Sequence, residues 1–220
     1  PQSIYVERGE AAQSAYDQLA KISQANGGKL SAFQVKLLAT LTGRSSNYKV
    51  GEYEFDSKAT LSQLLTRLSK GQITQRKIRI AEGVTWREIK QVFAKADLQH
   101  DAQDLSDADL VKAVGITEPA DAKSIEGLNF PDTYLHRKGE KETAVLKRAH
   151  DLLNKKMAEL WPKHSPNLPY QTPYEALIMA SIVEKETGLD ADRPMVAAVF
   201  VNRMRKGMPL QTDPTVIYGV

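Results

Sequence analysis

Cysteine is missing from the chain altogether. That excludes disulfides, thiolate nucleophiles and cysteine-based metal sites. Long apolar runs are missing too: none approaches the ~18 residues a spanning helix needs, so no transmembrane helix is expected within these residues. Charge of one sign is in short supply, with a net +3 that by itself demands no nucleic acid partner. The basic cluster Arg67, Lys70, Arg76, Lys77 and Arg79 lacks interleaved aromatics and reads as a solvated face, so no nucleic acid partner is expected. No G-x-S-x-G, P-loop or G-x-G-x-x-G occurs. The histidines, His100, His136, His150 and His164, have no metal-ligand spacing. His150 lies in a helical run and reads as a surface or boundary residue.

What is present is ordinary for a globular protein: 41% apolar and 26% charged residues over 220 positions. That length supports one large domain or two small ones with a real core. The chain opens at Pro1 without Met and ends at Val220 in mid-pattern. We expect a piece of a longer protein, with any anchor or signal lying upstream.

Periodicity and punctuation divide the chain. "SIYVERGE" reads as a strand and turn. "AAQSAYDQLAKISQAN" has helical spacing at Tyr16, Leu19, Ala20 and Ile22. Ser31 caps a second helix that Gly43 stops. "NYKVGEYEF" and "ITQRKIRIAEG" alternate as strands on either side of the helix "TLSQLLTRLSKG". Thr85 and Glu88 form a capping box, and "SDADLVKAVG" is a short helix with an acidic start. Glu118–His136 shows no periodicity, and its Pro, Gly and aromatic content marks an ordered functional loop. From about Lys141 the pattern is helical: "ETAVLKRAHDLLNKKMAELW", then "TPYEALIMASIVEKETG", then "RPMVAAVFVNRMRKG".

The segment after Thr172 holds the chemistry. Thr172 caps, Pro173 suits the first helical position, Glu175 completes a capping box, and Gly188 offers a left-handed stop. Between them "ALIMASIV" is apolar on every face, as in a buried central helix. Two carboxylates then follow one residue apart. At about 100° per residue Glu184 and Glu186 point nearly opposite ways. Met179, Ile182, Val183 and Glu186 form one stripe; Leu177, Ala180, Ser181 and Glu184 form another. The pattern does not choose between them. The negative helix end and the neighbours Ile182 and Val183 favour the protonated form at Glu186, which suits a general acid. The alternative is that both glutamates solubilise a helix end or pair with Lys185 or Arg193. Downstream, Val196, Val199, Phe200 and Arg203 share a stripe, so Arg203 is expected to pair with a buried carboxylate.

"MASIVEKET", "VFVNRMRKGMPLQTDPTVIYG" and the upstream "NFPDTY" resemble the YceG-like family of endolytic murein transglycosylases, in order and spacing. "IRIAEGVTWREIKQVFAKADL" resembles the strand–turn–helix opening of a LysM-like module, a fold associated with glycans containing N-acetylglucosamine. The resemblance implies an α+β protein: small N-terminal α+β modules, partly LysM-like, before a mainly α-helical catalytic domain with a lysozyme-like role, truncated at its C-terminus. The expected divisions are residues 1–76, 77–118 and 119–220.

The resemblance also implies a lyase. It would cut the β-1,4 bond between N-acetylmuramic acid and N-acetylglucosamine inside a nascent glycan strand, leave a 1,6-anhydro end and so terminate elongation. Glu186, the second glutamate of E-K-E, would be catalytic, with Glu184 as the alternative. Gln211, Thr212 and Asp213 would bind sugar hydroxyls or acetamido groups, or orient Glu186; a capped turn at Asp213-Pro214 is the plain reading of the same residues. Phe130 and Tyr134 would stack on sugars or pack their loop down. No metal or organic cofactor is implied. Implied partners are peptidoglycan strands and cell wall synthases (penicillin-binding proteins). Implied too is a single N-terminal helix, absent from this chain, that anchors the protein in the inner (cytoplasmic) membrane with this portion facing the periplasm or cell wall. A non-catalytic wall-binding scaffold is the competing reading.

Overall fold

The computed structural model of the chain describes residues 2–7, 11–46 and 48–219. The turn expected after the first strand lies outside the described residues at positions 8–10. The fold is mixed α+β with small sheets, and it divides into two units, residues 1–77 with 135–140, and residues 78–134 with 141–220.

In the first unit β1 (Gln2–Val6) runs antiparallel to β2 (Gly51–Phe55), with Gln2 opposite Phe55 and Val6 opposite Gly51. Gly51 has φ 144°, and a Cβ there would lie 2.6 Å from Ile73 Cγ2, so the strand start requires glycine. Helices α1 (Ala11–Ala25), α2 (Ala32–Leu41) and α3 (Leu61–Ser69) complete the unit. Ser31 and Thr60 cap α2 and α3 with full capping boxes, as their spacing predicts. Tyr16 and Leu19 of α1 join Ile4, Val6, Val35, Tyr53, Leu65 and Leu68 in the core. Glu52 is 5% exposed and pairs with Arg76 at 2.7 Å.

The second unit is larger. Strand β3 (Arg76–Ile80), through which the boundary runs, leads through a turn into α4 (Trp86–Phe93). A two-residue strand β4 (Leu98–Gln99) and α5 (Asp107–Val114) follow. The segment read as a pure loop contains a strand, β5 (Asp132–His136), which pairs with β3. Its polar positions Asp132, Thr133 and His136 hide the alternation. Within that segment Ile125 and Leu128 are buried, Phe130 packs against the core, and the buried Tyr134 donates its hydroxyl to the Phe130 carbonyl at 2.6 Å. Both aromatics therefore hold the segment down, and burial pushes the Tyr134 phenol up to about 12.

After the short β6 (Glu140–Lys141) comes α6 (Glu142–Leu160), whose Ala149, His150 and Leu153 are buried. His150 is 2% exposed, not a boundary residue. Asn154 Nδ2 can only donate to its Nε2, so Nδ1 carries the proton and donates to the Leu128 carbonyl at 3.0 Å. The start of α6 is held from a distance. Thr143 donates its amide and hydroxyl to Asp101, and the fully buried Glu142 accepts from the Ala102 amide, Gln103 Nε2 and His100 Nδ1.

The last helices are α7 (Pro173–Glu186), α8 (Arg193–Arg205) and α9 (Asp213–Gly219). Met179 and Val183 of α7 and Phe200 of α8 form a small core. Each such buried side chain contributes roughly 1.5–3 kcal/mol. The expectation of a central buried α7 is corrected: Ile178 is 46% exposed, and Met179 and Val183 are its buried residues. Neighbours cover one face of the helix and leave the opposite one open. The expected left-handed stop is corrected too. Thr187 leaves α7 in an extended conformation, and Gly188 is not among the positive-φ glycines. α9 falls where a capped turn was expected; its seven residues carry no apolar period long enough to read. Among the described residues no helix is long and apolar enough to cross a membrane.

Two predictions follow from these caps. Glu142→Ala leaves the Ala102 amide and Gln103 facing an empty acceptor site, and should destabilise by about 2–3 kcal/mol in urea unfolding. The Thr85 amide, then its hydroxyl, hold the Glu88 carboxyl below its usual range, and Lys185 adds to this. A carboxyl depressed in the folded state stabilises above its unfolded pKa and loses that contribution as pH falls through the folded one. The stability difference between wild type and Glu88→Gln should thus be present at neutral pH. It should shrink once pH drops below about 4.3; a difference that persists unchanged in acid would refute the assignment.

Candidate functional site

The two glutamates part company at the end of α7. Glu184 is half-buried and engaged. Its Oε2 meets Arg193 Nη2 at 2.9 Å, and Arg193 reaches Asp190 at 3.0 Å through Nη1. Glu186, in the last turn, is exposed. The desolvation expected from Ile182 and Val183 is therefore corrected: both side chains turn inward, while the carboxylate projects from the helix end.

A second segment reaches Glu186 from elsewhere. Thr212 is 4% exposed, and its hydroxyl donates to Glu186 Oε2 at 2.5 Å. Thr212 is set by what surrounds it in sequence. On one side Gln211 adopts φ 53°, a left-handed conformation uncommon for a residue with a Cβ. On the other, the Thr212 carbonyl accepts from the Thr215 amide and hydroxyl in the first turn of α9.

Arg203 ties the upstream side. Its Nη1 donates to the carbonyls of Pro209 and Leu210, each at 3.0 Å, and to Gln211 Oε1 at 2.9 Å. The carboxylate pairing expected of Arg203 is replaced by this carbonyl staple. Of the stripe it belongs to, Phe200 is buried and Val199 is 49% exposed.

The turn before α4 approaches the same helix end. A Cβ on Gly83, at φ 67°, would lie 3.4 Å from Glu184 Cγ and from Lys185 Cε. So of the residues singled out by sequence, Glu186 and Thr212 are brought into contact, while Glu184 turns to Arg193. Gln211 turns to Arg203, and Asp213 is exposed at the start of α9. Among the described residues no group of three or more His, Asp or Glu is arranged to hold a metal ion. The arrangement offers one accessible carboxylate with an oxygen held by a buried hydroxyl, while the other glutamate of α7 is neutralised by arginine.

The sequence profile of the YceG-like family matches residues 4–220. The chain belongs to the YceG-like family. The match spans both units, including the E-K-E segment of α7 and the Gln211–Asp213 segment. An endolytic murein transglycosylase of Bacillus subtilis is 28% identical over 201 residues, covering 80% of this chain and 52% of that protein. One of Streptococcus pneumoniae is 25% identical over 214 residues, covering 83% of this chain and 38% of that protein. A crystal structure of a yceG-like protein of Listeria monocytogenes aligns with TM-score 0.48 at 23% identity, covering 99% of this chain and 75% of that one. This YceG-like chain thus spans about half, or less, of the length of these curated relatives.

Arg203 and Arg193 are the site residues whose roles sequence reading missed or left open. Arg193 was one of two candidate partners for either glutamate. No spacing rule links Arg203 to positions 209–211 across a helix end. Because Glu184 and Arg193 are both partly exposed, Glu184→Ala should lower stability by less than about 1 kcal/mol. A larger loss in denaturant unfolding would show the pair to be a structural anchor.

Proposed function

We propose that this YceG-like protein is an endolytic peptidoglycan lytic transglycosylase with Glu186 as its catalytic residue. The observation that carries the choice of residue is the asymmetry of the two glutamates: Glu186 is accessible with one oxygen held by Thr212, whereas Glu184 is occupied by Arg193. Family membership and the relatives named endolytic murein transglycosylase support the reaction class.

The chemistry needs a single carboxyl. Glu186 gives its proton to the glycosidic oxygen as the bond from muramic C1 to that oxygen breaks. The 2-acetamido group of the substrate stabilises the positive charge at C1. Glu186, now ionised, takes the proton of the muramic C6 hydroxyl while that oxygen bonds to C1. The 1,6-anhydro end results, no water is consumed, and the carboxyl is restored. A hydroxyl donor on Glu186 Oε2 suits the ionised half of this cycle and leaves the other oxygen to face the sugar.

Residues 77–118 serve in this proposal as a LysM-like glycan-binding module, and 119–220 as the catalytic portion, with Gln211 and Asp213 available to sugar polar groups. The approach of the Gly83 turn to Glu184 and Lys185 supports a glycan path that passes from one to the other. The whole protein is placed at the cell envelope, held in the inner membrane by a helix outside this chain. There it terminates nascent strands beside cell wall synthases.

The test is digestion of peptidoglycan by the full-length protein, with products read by mass spectrometry. Wild type should release anhydro-ended fragments. Glu186→Gln should reduce them by at least about 100-fold, while Glu184→Gln should leave most of the turnover. Anhydro ends that persist with Glu186→Gln would sink the residue assignment, and none with wild type would sink the activity.

A further inference from the structure

We infer that Arg203 is a positioning residue for Glu186, acting through the 209–212 segment; the inference rests on Glu186 being the catalytic carboxyl. A guanidinium nitrogen Nη1 carries two hydrogens, yet here it serves three acceptors at 2.9–3.0 Å. All three lie on consecutive residues, Pro209, Leu210 and Gln211. One cation therefore gathers two carbonyls and a side-chain amide oxygen onto the end of α8.

That gathering has a consequence one residue on. Gln211 sits at φ 53°, a conformation that a residue with a Cβ adopts only where its surroundings impose it. Arg203 supplies the imposition on both the backbone before Gln211 and its side chain. The left-handed step then delivers Thr212 into a buried position, 4% exposed, with its hydroxyl on Glu186 Oε2. Downstream, the Thr215 contacts to the Thr212 carbonyl fix the other side. Thr212 is thus clamped between a cation and a helix start, and the orientation of Glu186 depends on both. Nothing places Arg203 in contact with Glu186 itself.

A purely structural arginine and a positioning one differ in what they move. Releasing Thr212 removes the hydroxyl that holds one oxygen of Glu186, so the pH profile of the reaction should change with it. The experiment measures kcat, KM and the pH profile of anhydro-product formation by the full-length protein. The variants are Arg203→Ala, Arg203→Lys, Thr212→Val, the Ala/Val double variant and Glu186→Gln. Arg203→Ala should lower kcat about 10- to 100-fold, with KM changed less than about threefold. Its pH profile should shift in the same direction as that of Thr212→Val. The double variant should be no worse than the poorer single variant, since both act through one contact. Arg203→Lys, which keeps the charge, should recover part of the rate; should Arg203→Ala not fold, this variant carries the test through its pH profile.

A wild-type pH profile in the Arg203 variants, or additive losses in the double variant, would overturn the inference while Glu186→Gln remains inactive. Full turnover by Glu186→Gln would instead overturn the catalytic reading on which it rests.

Discussion

The contact on which the candidate site depends is a single hydrogen bond between residues far apart in the chain. Thr212 donates to Glu186, and it does so from a buried position at the start of α9 to an exposed carboxylate at the end of α7. Neither partner determines it alone. A helix C-terminus repels a carboxylate by its dipole, an effect of about 0.3–1 kcal/mol. The Thr212 hydroxyl holds one oxygen of this exposed carboxylate from outside the helix. The packing of α7 on α8, through Met179, Val183 and Phe200, supports the helix end that carries the acceptor.

The same logic recurs at the start of α6. Its first turn lacks a local side-chain cap at Lys141. Asp101 and the buried Glu142 do the work instead, across about forty residues of chain. A carboxylate at a helix N-terminus is favoured by the dipole, and its burial is offset by three donors. The starts of α2, α3, α4 and α7 are thus closed by a capping box next door, and that of α6 by a loop from a distant stretch. The two kinds are not equally visible in a sequence.

Charge around the candidate site is arranged by pairing, not by excess. Arg193 neutralises Glu184 and Asp190, Lys185 lies by Glu88, and Arg203 spends its donors on carbonyls. Glu186 is left accessible, with one oxygen held by Thr212. That accessibility is what the proposed one-carboxyl mechanism asks of it, since the same group must both give and receive a proton.

The sequence by itself determined four of the helix starts. Ser31, Thr60, Thr85 and Thr172 each face a Gln or Glu three residues on, and a capping box is a local event that needs no tertiary partner. It also marked the short stretches that carry the candidate site, because the E-K-E and Q-T-D motifs are each contiguous in the chain. It left Glu184 and Glu186 tied, since both continue an apolar stripe of α7. It overstated the burial of that helix, since apolar residues all round do not say which face finds a neighbour. It hid β5, whose polar residues break the alternation, and α9, too short for a period. Only the tertiary structure broke the tie. It brought Arg193 to one glutamate and Thr212 to the other, through contacts that span a loop and a whole helix. Such contacts follow from packing rather than from local preference, and residue spacing does not record them.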